Sequence, residues 1–186
     1  MQGYWFKGRK GRKGRTGEPA NRQIAGVNHL KRPTMAKTSL DRPIEELADR
    51  TGHKTLATWA ADCALRVLPF FEKRLPGDDR PRKAVEATRA WVRTGMFRMA
   101  NVRRTSLAAH AAARLIEQFH PARSAARAAG QAMASAHVGR HAIAAAIYAA
   151  TAIRDASDPT KADAAALRER KWQYRRLLGL AEPSRR

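Results

Sequence analysis

The run DDRPRKAVEATRAW, Asp78 to Trp91, decides how this chain is to be read. Asp79 is placed to accept hydrogen bonds from the orphan amides of a first helical turn, and Pro81 stands where a missing N–H costs nothing. A helix is therefore expected to begin near residue 80. Ala84, Val85, Thr88, Trp91 and Val92 recur at spacings of three and four, leaving Arg82, Lys83, Glu86, Arg89 and Arg93 for the opposite face. Gly95 supplies a natural stop. Taken by itself the segment describes an amphipathic, capped, packing helix.

Outward from this run the same signals repeat. A short helix is expected over 43–50, ending at Gly52, and a broad-faced one over about 54–74. In the latter Leu56, Trp59, Cys63, Val67, Phe70 and Phe71 form the stripe, and Pro69 should kink it near Leu65. A helix over about 96–118 is predicted to turn Phe97, Ala100, Leu107, Ala111 and Leu115 inward, and His120-Pro121 breaks it. Residues 121–150 hold 14 alanines, with Gly130 and Gly139 as points where a helix bends or splits. Ile143, Ile147, Ala150 and Ile153 continue as a core stripe, and Asp158 is placed to cap a last helix over about 160–178 carrying Trp172. No strand-like alternation competes. The expected fold is all-α, a single-domain bundle of about six helices over residues 39–180, with Trp59, Trp91 and Trp172 as structural aromatics beside the Asp79–Pro81 cap.

The flanks differ in kind. Residues 1–38 read as a disordered basic arm, with Lys-Gly-Arg repeated three times between Lys7 and Arg15, and 181–186 as a disordered tail. The glycine spacing is too short and too poor in proline for a collagen helix, and no apolar run follows that would make the arm a signal peptide. Met35 precedes the first convincing helical signal, so one reading takes it as the true initiator. The other makes the arm a nucleic-acid-binding segment. There Lys7, Arg9, Lys10, Arg12, Lys13 and Arg15 neutralise phosphates while Tyr4, Trp5 and Phe6 stack on bases.

Composition bounds the function. The formal charge is +21, and from Met35 onward 28 Lys plus Arg still face 15 Asp plus Glu, so the body is basic without the arm. Such an excess points to polyanionic or acidic partners. The single Cys63 excludes an internal disulfide and fits a reducing, cytoplasmic setting. The longest apolar stretch, 142–153, falls short of the roughly 20 residues a membrane helix needs, so no membrane partner is expected.

Chemistry is sparse. His137 and His141 are four apart, a spacing that can hold two metal positions, and His110 is a candidate third ligand. Gly139 between them weakens the helix that geometry requires, and no Glu intervenes as a base, so hydrogen-bonded structural histidines are the primary expectation and no metal or other cofactor is anticipated. There is no glycine-rich phosphate loop, no HExxH and no cysteine pair. The chain is expected not to be an enzyme.

Several blocks taken in order (Trp59 to Ala64, Asp79 to Trp91, Ala109 to Arg114, Ala136-His137, His141 to Ala150 and Glu169 to Trp172) resemble the bacterial and archaeal "putative immunity protein" family, the all-helical group likened to the fifth class of polymorphic-toxin immunity proteins. The resemblance spans about residues 55–176. It implies a cytoplasmic, cofactor-free protein that neutralises a cognate toxin by binding it. Immunity proteins that plug nuclease toxins are typically acidic, whereas this body is basic, which implies a toxin surface that is acidic or largely apolar. Arg80, Arg82 and Arg89 are the candidate anchors for such a partner, through forked hydrogen bonds. A basic nucleic-acid-associated protein is the alternative, and the alanine-rich face leaves a homodimer seam open.

Overall fold

The run from Asp78 does form a helix start, by a different carboxylate from the one expected. In the computed structural model, which describes residues 35–182, Asp79 occupies the N-cap position but its side chain makes no capping bond. Asp78, one residue earlier, accepts from the Arg80 amide at 3.2 Å and from the Arg80 Nε at 2.8 Å. The Asp79 carboxylate turns instead to Lys83, 2.9 Å away. The chain bends into an Asx-type turn before the helix, and the aspartate at the head of that turn reaches the free amides first. Pro81 is buried in the first turn. Gly95 ends the helix in the left-handed region at φ 70°, its amide bonded to the Trp91 carbonyl, a conformation that favours glycine.

Seven helices follow one another among the described residues, with no strand. They are α1 (Asp41–Asp49), α2 (His53–Arg74), α3 (Arg80–Thr94), α4 (Met99–Arg114), α5 (Pro121–Ala134), α6 (His141–Asp155) and α7 (Ala162–Ala181). The count exceeds the expected six because the alanine-rich segment 121–150 divides. Of its two glycines only Gly139 lies at the break. Ser135 bonds its hydroxyl back to the Ala132 carbonyl at 2.6 Å, and the following amides close tight turns onto carbonyls three residues back. Gly130 stays inside α5. α2 continues as one helix through Pro69. Asp158 bonds the Thr160 amide one turn ahead of α7, whose N-cap position falls to Lys161.

α5 is central, packing against α2, α3, α4 and α6. Ala122, Ala125, Ala126, Ala128, Ala129 and Ala132 are all fully buried on it, and α6 contributes six more buried alanines from Ala142 to Ala152. Side chains this small bring helices close together and are used up inside the chain. Trp59 is the largest buried residue, and its Nε1 donates to the Gln173 carbonyl at 2.9 Å, joining α2 to α7.

The face of α4 is rotated from expectation. Val102, Ser106, Ala109, Ala112 and Ala113 are buried, whereas Phe97, Ala100, Leu107 and Leu115 are exposed. The physical reason lies in α5: a neighbour surfaced with alanine admits small side chains at close range and leaves the bulky stripe of α4 facing water.

The polar connections of α7 explain the Glu169–Trp172 block. Buried Glu169 receives Arg66 of α2 through Nε and Nη2, and the same guanidinium lies 3.9 Å from the Trp172 ring centre. Arg170, also buried, bonds Asp41 of α1 and Gln173. Trp91 is half-buried, its ring centre 5.1 Å from that of His53. The chain is already anchored ahead of α1, since the buried Ala36 amide donates to Thr151 Oγ1 at 3.0 Å.

Candidate functional site

Met99, Arg103, Leu107 and His110 stand on one stripe of α4, at spacings that keep them in line along a helix. Opposite them lie Gln131 of α5, His137 of the α5–α6 turn and His141 at the start of α6. Together they enclose a cleft of about 320 Å³, floored by Val102 and Ser106. The three histidines singled out in the sequence therefore meet in one place, although helical spacing alone related only two of them.

They do not meet as ligands. No group of three His, Cys, Asp or Glu side chains able to hold a metal occurs among the described residues. His141 places Nδ1 2.7 Å from Gln131 Oε1. His137 is exposed, and its ring lies 6.4 Å from that of Phe97 at 27°. His110 packs so tightly on Gly130 that a β-carbon there would lie 2.8 Å from its Cε1, and Ser106 bonds the Gly130 carbonyl beside it. The His110 Nδ1 is buried without a hydrogen-bond partner. Burial above all, then the charges of Arg127 and Arg114 and the nearby His141, hold the His110 pKa below the ordinary 6.5. Burial and His137 lower that of His141. For His110 and His141 alike the surroundings favour the neutral ring.

Sequence reasoning had missed, or placed inside, several exposed apolar side chains, of which Leu107 lines the cleft and Phe97 lies against His137. Met96 is 76% exposed and Leu107 56%, with Phe97 and Val138 also open to solvent. A signal for this face did exist: from Ala87 to Arg154 the chain holds ten arginines, no lysine and one carboxylate, Glu117. That stretch builds α4, α5 and α6, and the cleft they form is lined by Arg103 and three histidines with no carboxylate.

The three arginines proposed as partner anchors lie elsewhere, on α3, and each has a carboxylate of its own. Arg80 pairs with Asp78, Arg82 with Glu72 and Arg89 with Asp62. Asp62 also receives Arg176 of α7 at 2.7 Å, so Arg89 belongs to a clasp among α2, α3 and α7. The proposed arm residues Tyr4, Trp5, Phe6, Lys7, Arg9, Lys10, Arg12, Lys13 and Arg15 lie outside the described residues. Cys63 is fully buried, and burial pushes its thiol well above the ordinary 9.0, the state of an inert core side chain. A second cavity of about 260 Å³ lies between Phe119, Arg123, Arg127, Tyr148 and Asp155.

By architecture the described residues form an all-helical bundle with an alanine core and an open cleft lined by His110, His137 and His141. No described helix is long and apolar enough to cross a membrane. A family model described as "Imm-5 like putative immunity protein" matches residues 46–180, from within α1 nearly to the end of α7, and the chain belongs to that family. No curated protein and no solved structure gives a significant match.

Proposed function

We propose that this chain is a non-catalytic immunity protein that acts in the cytoplasm and neutralises a cognate toxin by direct protein–protein contact. Its family membership supports the class. The observation that carries the binding role is that Met99 and Leu107, both exposed, line the cleft, with exposed Phe97 lying against His137. Soluble proteins seldom leave such side chains grouped around a cleft unless a partner covers them. Contact through α3 is the second candidate surface, but a partner there competes with Asp78, Glu72 and Asp62 for Arg80, Arg82 and Arg89.

The test is capture of partners from the native host with the full-length chain, before and after nuclease treatment, followed by co-expression. A retained protein that arrests growth alone and is harmless beside this chain is the expected result. Material lost on nuclease treatment, with binding that falls steeply with salt, favours instead the nucleic-acid reading that the +21 charge raises.

A further inference from the structure

The cleft has a charge pattern as well as a shape. Arg103 of the lining is exposed and carries no ion pair among the described residues. Arg140, on the turn beside His141, is exposed and reaches Asp49 only at 3.9 Å. Met99, Val102 and Leu107 give the lining its apolar part, Val102 buried at the floor and the other two open to solvent. A volume of 320 Å³ lies near the lower end of ligand pockets, roughly 300–1,000 Å³, which suits an inserted side chain better than a whole free ligand.

Resting on the immunity reading, we propose that this cleft is where the toxin docks, through a net-acidic segment that inserts a large apolar side chain between α4 and the α5–α6 turn. The Arg103 guanidinium meets a carboxylate of the segment, and Met99, Val102 and Leu107 take the apolar anchor. Such an arrangement sets partner choice and association rate by charge and residence time by burial. The chain's own arm is a poor occupant, because Lys7 to Arg15 would bring six positive charges to a positive rim. A second copy brings the same net positive charge. A nucleic acid would leave Met99, Val102 and Leu107 of the lining without matching apolar contacts.

Short random peptides displayed on phage and selected on the full-length protein test this directly. The expected winners combine Asp or Glu with a Trp, Phe or Leu. Their affinity should fall about ten-fold or more on Leu107→Asp, and also on Arg103→Glu, as for central and charged positions of an interface. Both positions are exposed, so circular dichroism of each variant should match the parent. Failure to enrich acidic peptides, equal binding by Leu107→Asp, or displacement of the peptides by a single-stranded oligonucleotide overturns the proposal. In the growth assay, a Leu107→Asp chain that still neutralises the toxin removes the cleft while leaving the immunity reading intact. A parent chain that binds acidic peptides but neutralises nothing retains the cleft as an acidic-segment site and removes that reading.

Discussion

His110 of α4 rests against the backbone of Gly130 of α5, with no room between them for a β-carbon: one built at residue 130 would meet the ring at 2.8 to 3.0 Å. Gly130 is therefore a packing residue, placed so that an imidazole can lie in the gap between two helices. Gly130→Ala should gain up to about 1 kcal/mol of helix propensity and spend much of it on displacing the ring. The decisive readout is the His110 pKa followed by NMR. Pushed toward the open cleft, the ring loses its burial, and its pKa should rise toward 6.5.

Stability should fall on mild acidification. The folded-state pKa values of His110 and His141 are both depressed, so the unfolded chain takes up protons first as pH drops through about 6.5. Stability contributed by the neutral rings is complete above that value and is lost as pH falls toward their folded pKa values. Asp78 and Asp158 are lowered from 3.8 and act only in stronger acid, which keeps the two effects apart. Thermal melting between about pH 7.5 and 5.5 should show a declining Tm, with a shallower slope in His110→Gln.

Glu169→Gln should loosen α7. Glu169 is buried and binds Arg66 through two guanidinium nitrogens, while Arg66 keeps 42% of its side chain exposed and so has water as a fallback. The expected loss in urea unfolding is about 1–2 kcal/mol, below that of a fully buried pair. Glu46→Gln, which breaks the exposed Arg42–Glu46 pair, should cost less than about 0.5 kcal/mol.

Thr151 holds the segment ahead of α1. Its Oγ1 accepts from the buried Ala36 amide while donating to the Ile147 carbonyl at 2.8 Å. Thr151→Val preserves the side-chain shape but leaves that amide unsatisfied, at an expected cost of about 1–2 kcal/mol. Faster hydrogen exchange at the Ala36 amide, reversed in Thr151→Ser, distinguishes the lost bond from a packing defect.

Ala128→Leu should be among the most damaging conservative changes. The residue is fully buried on the helix that four others surround, so added methylenes force those helices apart. About 1–3 kcal/mol is expected from overpacking, measured by chemical denaturation. Leu107→Ala, which empties an exposed position, should leave stability within about 0.5 kcal/mol.

Local chemistry made the elements themselves readable from sequence. Apolar spacing located α1, α2, α3 and α7 to within a few residues, because each carries its own periodicity and its own breaker, as Gly95 does for α3. The family blocks were likewise visible as strings of residues. Which face turns inward was not local information. α4 offers a bulky stripe and a small one, and only contact with the alanines of α5 selects the small one, exposing Leu107 and Phe97. The joining of His110 to His137 and His141, the burial of Arg170 and Glu169, and the pairing of Arg80, Arg82 and Arg89 with carboxylates were tertiary outcomes too. Helix formation is decided by neighbours three and four residues away, whereas the cleft is decided by what fits against a surface supplied from another part of the chain.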